Sequence, residues 1–160
     1  MKIDWLEGLR KVSGEYRGGG TNHEGETFTS IARIGEALGS ASRGGGIALE
    51  YTARVGSHVV HDERSLVGRD ENGDWALFAM TTNTPAVLKH VLSESKSRRE
   101  GDEWVLTFEY GDAENREAFR ERLDLRFHET RRTFGYDYFW GLPGKDFGRR
   151  SSSEMSAARV

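Results

Sequence analysis

Four ionisable side chains crowd one short segment: His58, His61, Asp62 and Glu63. These are the residue types of a metal site or of an acid–base pair. On a strand, successive side chains point to opposite sides. His61 and Glu63 would then share one face, and His58 and Asp62 the other. The four cannot meet around one ion, and the His61–Glu63 pair would hold a metal only with a third ligand from elsewhere. Val59 and Val67 compete with Val60 and Leu66 for the inner face, and the reading taken here turns His61 inward. Ser57, His58 and Asp62 are the types of a hydrolase triad. Near neighbours on one strand do not reach triad geometry, and the chain has no Gly-x-Ser-x-Gly elbow.

A second constellation is Arg132, Phe134, Tyr136, Tyr138 and Trp140, which share one parity. Turned inward, they would make an aromatic wall with a cation at one end. Small-molecule sites are largely apolar with a few placed polar groups. A buried Arg132 would need an anion, and a ligand carboxylate would supply it. The plainer reading is core packing, with Arg132 at an exposed strand start. The triple glycines Gly18-Gly19-Gly20 and Gly44-Gly45-Gly46 are read as hairpin loops, since neither leads into Lys-Ser/Thr and a helix as a phosphate loop does. The basic run Lys96-Ser97-Arg98-Arg99 lies among Glu94, Glu100, Asp102 and Glu103, a solvated hairpin by composition.

These side chains need elements to hold them. Ile3, Leu6, Leu9 and Val12 recur at helical spacing, with Asp4 as cap and Glu7 three residues on, which predicts one helix over 3–12. After Gly14 the period is two. Ile47, Leu49, Tyr51, Ala53 and Val55 alternate with Ala48, Glu50, Thr52 and Arg54. The same rhythm runs through Trp104–Tyr110, Leu123–Phe127 and Phe134–Trp140. One wet and one dry face is the antiparallel signature. Asn72-Gly73 is the strongest hairpin signal, and Gly101-Asp102, Gly111-Asp112 and Asn83-Thr84-Pro85 mark further turns.

The expectation is therefore an all-β fold: an up-and-down antiparallel β-barrel of about nine strands with a short N-terminal helix. The strands fall near 12–18, 27–34, 46–55, 58–67, 74–82, 86–94, 103–110, 116–127 and 131–140, with 114–122 also readable as an exposed helix. The single domain spans 1–144. Residues 145–160, with Ser151-Ser152-Ser153 and little apolar content, read as an extended or loosely attached tail.

Composition narrows the function classes. The chain of 160 residues suits one domain. It has no cysteine, which removes disulfides, thiolate nucleophiles and Cys-ligated metals and inclines the reading to the cytoplasm. No apolar run reaches the roughly 20 residues of a membrane-spanning helix, and the acid at Asp4 argues against a secretory leader. Net charge is −3, from 23 basic and 26 acidic residues, which argues against a nucleic-acid partner. A homodimer stays open.

The helix leading into Gly14-Glu15-Tyr16-Arg17-Gly18-Gly19-Gly20, with strands thereafter, resembles the calycin superfamily of lipocalins, fatty-acid-binding proteins and nitrobindin-like barrels. Many members open their first strand with Gly-x-Trp, and Tyr16 stands where that Trp would be. The resemblance covers residues 3–144 in pattern, and it implies a small apolar molecule held inside the barrel. Nitrobindins hold haem through a histidine on a late strand. This chain has none after His128, so haem would have to use His58 or His61. Fatty-acid-binding proteins hold a carboxylate with an Arg-x-Tyr pair on the last strand. Here Arg132 and Tyr136 stand with Phe134 between them.

The leading expectation is a non-enzymatic binding protein for a small hydrophobic or amphipathic, carboxylate-bearing molecule. Its lining would be Tyr51, His61, Trp75, Phe108, Arg132, Tyr136 and Tyr138. The alternatives are a small barrel enzyme of the isomerase or decarboxylase type, using a tyrosine or His61 as acid and base, and a packed barrel working through a protein interface.

Overall fold

The computed structural model describes residues 3–38 and 45–159. A single helix, α1 (Trp5–Lys11), precedes eleven strands: β1 (Gly14–Asn22), β2 (Thr27–Glu36), β3 (Ile47–Val55), β4 (His58–Arg69), β5 (Trp75–Thr81), β6 (Leu88–Leu92), β7 (Arg98–Glu100), β8 (Glu103–Tyr110), β9 (Arg120–His128), β10 (Thr133–Gly141) and β11 (Gly148–Ala157). All pairings are antiparallel, and the sheet runs β6-β5-β4-β3-β2-β1-β11-β10-β9-β8-β7. It closes where β6 meets β8 at Val91↔Glu109 and Leu92↔Phe108. The short β7 pairs with the other half of β8, at Arg98↔Val105. β6 and β7 thus share one position in the ring, which makes a ten-strand barrel, in line with the expected antiparallel barrel of about nine strands. Closure leaves no long unpaired edge. No helix among the described residues is long and apolar enough to cross a membrane.

The helix forms where its spacing predicts. Asp4 caps it, accepting from the N–H groups of Leu6 and Glu7, each at 3.1 Å. Trp5, Leu6 and Leu9 turn into the barrel end. Trp5 meets Trp104 edge-on with ring centres 5.9 Å apart. Leu9, Ile34, Ile47, Leu49, Val67, Leu125 and Phe134 come together behind it. This end of the barrel is closed by packing.

Two corrections to the sequence reading concern one seam, and a third lies between β8 and β9. Residues 148–157 are not a loose tail: β11 sits between β1 and β10, paired from Tyr16↔Ala157 to Asn22↔Ser151 and from Thr133↔Ser156 to Trp140↔Gly148. Its inward positions, Ser151, Ser153, Met155 and Ala157, offer one large apolar side chain, so backbone pairing more than hydrophobic patterning holds it. Gly18-Gly19-Gly20 is no hairpin loop but the middle of β1. A Cβ on Gly20 would lie 1.8 Å from the Ser152 carbonyl oxygen, and one on Gly19 2.2 Å from that of Phe28. Glycine here lets β2 and β11 press against β1 from both sides. Segment 114–119 is turn, and β9 starts at Arg120, later than the expected 116. Of the second glycine triplet, Gly44 lies outside the described residues, while Gly45 and Gly46 lead into β3.

Gly20→Ala is expected to cost about 2–3 kcal/mol, whereas Gly148→Ala, with open space at its Cβ, should change stability by less than about 0.5 kcal/mol. Urea unfolding of both variants checks this, and equal midpoints would show that β1 tolerates side chains after all.

Candidate functional site

At the end of the barrel away from α1 a cavity of about 330 Å³ opens to solvent. Phe28, Tyr51, Ala53, His61 and Tyr138 form its inner wall, and His23, Asn83, Phe119, Trp140, Leu142 and Arg150 surround them toward the mouth. Strand parity explains the inner wall. β3 buries Leu49, Tyr51 and Ala53, and β10 buries Phe134, Tyr136 and Tyr138. β4 buries His61, Glu63, Ser65 and Val67, while Leu66 points out. The competition left open by the valines is settled by the register β4 keeps with β3, where Ala53 faces His61 and Tyr51 faces Glu63.

Beneath the cavity lies a polar layer. Glu63 is 1% exposed. Its carboxylate accepts from Ser65 Oγ and Tyr136 Oη, and His61 Nε2 lies 3.2 Å away. β4 and β10 stand five positions apart around the ring in either direction, so the Tyr136–Glu63 bond bridges opposite walls. Tyr51 stacks on Tyr136 with ring centres 4.1 Å apart and donates to Ser153 Oγ. Burial pushes the Glu63 carboxyl up, but the bonds from His61, Ser65 and Tyr136 outweigh it and hold it below the usual carboxylate range. Burial raises Tyr51 to about 12. Burial and the neighbouring carboxylates raise Tyr136 and Tyr138 further.

A second buried carboxylate repeats the arrangement. Glu121 on β9 accepts from Tyr138 Oη, and His90 Nε2 on β6 lies 2.7 Å from it. Asn83 Nδ2 sits 2.9 Å from His61 Nδ1. With the amide donating there, the ring proton is on Nε2, facing Glu63. The mouth is held by Arg120, only 2% exposed. Its guanidinium donates to the carbonyls of Ala113, Ala118, Leu142 and Lys145, which fixes the loops carrying Phe119 and Leu142.

Of the residues singled out from sequence, Tyr51, His61 and Tyr138 line the cavity. Tyr136 lies under it, fully buried. Phe108 packs in the core opposite Leu92 and Leu123. Trp75 is at the far end of β5 from Thr81, beneath the Arg69 guanidinium. Arg132 is the clear correction. It precedes β10 in a left-handed turn with φ 53°, so strand parity does not apply to it. It donates to the carbonyls of Lys11 and Ser13 at 2.8 and 2.7 Å, closing the C-terminal end of α1 at the opposite end of the barrel. The cation at the cavity is Arg150, stacked 4.4 Å over Trp140.

Sequence reasoning passed over Arg150, Asn83, His90 and Glu121. The parity of Leu123, Leu125 and Phe127 places Glu121 inward, which was a usable signal. His90 had none, because Val87, Lys89 and Val91 alternate with Leu88, His90 and Leu92. Of the two histidines named for haem, His58 is exposed, and His61 bonds Glu63 through Nε2 and the exposed Asn83 through Nδ1. Among the described residues no group of three His, Asp or Glu side chains makes a metal site.

Glu63 carries a pH prediction. Its folded carboxyl is held below the unfolded value of about 4.3, so its stabilisation is full above that value and fades as pH falls through the folded one. Glu63→Gln should cost about 3–5 kcal/mol at pH 7, with the gap to wild type narrowing on acidification. Urea midpoints between pH 7 and 3 test it; a constant gap would show that Glu63 is not an ionised, bonded carboxylate.

No protein-family model and no curated protein sequence matches the chain. Among solved structures it is similar to the crystal structure of Rv2717c from M. tuberculosis, with a TM-score of 0.69 at 13% identity over 99% of this chain and 100% of that one. At that identity the likeness is one of fold.

Proposed function

We propose that this protein binds one small amphipathic molecule in the open end of the barrel, its apolar body inside and an anionic group at the mouth. The observation that carries the reading is the cavity itself, aromatic on its inner wall and with a guanidinium at its rim. Its volume of about 330 Å³ sits at the low end of the roughly 300–1,000 Å³ range of small-molecule pockets. The body of the ligand would lie among Phe28, Tyr51 and Tyr138. Arg150 uses Nε on the Trp140 carbonyl and Nη2 on that of Asp146. Among the described residues it has no carboxylate partner, so Nη1 remains to meet an anion. A carrier role of this kind agrees with the calycin-like entry sequence and the closed ten-strand ring.

Isothermal titration with 2-naphthoate tests the reading. Arg150→Met should weaken binding about tenfold, or ~1.4 kcal/mol. Ala53→Trp fills the inner wall and should abolish binding while the protein still unfolds cooperatively. Unchanged affinity in Ala53→Trp would move the ligand out of this cavity, and unchanged affinity in Arg150→Met would remove the anion partner.

A further inference from the structure

A carrier needs an apolar wall and one anchor. This cavity has more than that. His61 is 6% exposed, and its Nε2 faces the buried Glu63 carboxylate at 3.2 Å. A carboxylate behind an imidazole fixes the tautomer and stabilises the ring when it takes a proton. The basic atom is then Nδ1. Among the described residues its one hydrogen-bond partner is the side chain of Asn83, an exposed loop residue that also lines the cavity. An exposed amide can shift to admit a molecule beside Nδ1 and still donate to it, so uncovering Nδ1 costs little. The tyrosines are poor candidates for the base. Tyr136 and Tyr138 donate to Glu63 and Glu121, and burial holds both hydroxyls protonated.

We infer that His61 is a general base acting on a small apolar carbonyl compound with an acidic C–H next to its carbonyl. The inference rests on the proposed cavity and adds a reaction to it. The substrate class follows from the pairing of groups: a proton acceptor, His61 Nδ1, and a donor, Asn83 Nδ2, stand 2.9 Å apart on one wall. A molecule that enters between them must offer a proton to one and an oxygen to the other. An α C–H beside a carbonyl does both.

The step balances without a cofactor. The C–H bond breaks and its proton passes to Nδ1. The bonding pair enters the C–C bond as the carbonyl becomes an enolate, whose oxygen accepts from Asn83 Nδ2. Glu63 compensates the imidazolium. Once the proton on Nδ1 has been replaced from solvent, delivery to the same carbon completes an exchange, and delivery to the far end of a conjugated system shifts a double bond. Glu63 is a positioning residue here, since it reaches the substrate only through His61.

Deuterium exchange at the α-carbons of 2-tetralone, followed by proton NMR in D2O, tests this. Wild-type protein should catalyse exchange that saturates with tetralone and is inhibited competitively by tetralin, which has the same shape and no carbonyl. His61→Gln, which keeps a donor for Glu63 but is not basic, should slow exchange at least about 100-fold while tetralone affinity changes less than threefold. His61→Asn is the second variant if the first fails to fold. Glu63→Gln should lower the exchange rate with the same affinity for tetralone. Exchange that survives in a folded His61 variant, or that tetralin does not inhibit, overturns the inference. Bound tetralone without exchange overturns the base and leaves the carrier standing. Refusal of tetralone overturns the inference, and the carrier reading falls with it only if 2-naphthoate is refused as well.

Discussion

An ionised carboxylate in a closed barrel must find its hydrogen-bond donors inside, because water cannot reach it. Glu63 finds three, and the farthest comes from the opposite wall: Ser65 from its own strand, His61 two residues away, and Tyr136 from across the lumen. An unpaired charge at this depth would cost several kcal/mol. Satisfying it fixes the rotamers of three side chains and the separation of β4 and β10. Tyr51 then has a flat ring to stack on, and the interior is divided. Below the crossbar apolar side chains fill the barrel; above it they stop, and the cavity begins.

The two ends of the molecule follow from that division. The filled end is closed by α1, with Trp5 on Trp104 and the Arg132 guanidinium on the last carbonyls of the helix. No helix among the described residues covers the open end. Arg120 holds it, a cation buried without any carboxylate partner among the described residues and satisfied by four backbone carbonyls. Gly141 leaves room for it, since a Cβ there would lie 2.7 Å from the Arg120 Cζ. Both arginines thus bind the chain to itself, and Arg150 is the one that stands at the cavity.

Two carboxylate–histidine–tyrosine clusters inside one small barrel are more than packing requires. Replacing buried ionic groups with apolar ones of similar volume is often neutral or stabilising, so the fold alone gives little reason to keep them. The cluster around Glu121 meets the cavity through Tyr138, whose hydroxyl is held by Glu121, while its His90 is 0% exposed with no partner for Nδ1 among the described residues. The cluster around Glu63 touches the cavity through His61. The Glu63 cluster thus brings an imidazole to the cavity, and the Glu121 cluster a tyrosine.

Much of the fold is legible along the chain. The alternation in β3, β8, β9 and β10, the Asp4 cap and the turn at Asn72-Gly73 act between near neighbours, so local pattern predicts them. Tyr51 and Tyr138 were legible for the same reason, as inward positions on patterned strands, whereas the face of His61 was decided by the register β4 keeps with β3. What escaped was decided by distant partners. β11 carries little apolar pattern and exists because β1 and β10 each leave a ladder to complete. The glycines of β1 read as a loop until Ser152 and Phe28 crowd them from the flanking strands. Arg132 and Arg150 are alike in sequence, yet a left-handed turn sends one to the helix and a strand start brings the other to the cavity mouth. Sequence determined which faces of the strands are dry. The closing of the ring determined which dry residues meet, because hydrogen bonds inside the barrel join positions up to 102 residues apart.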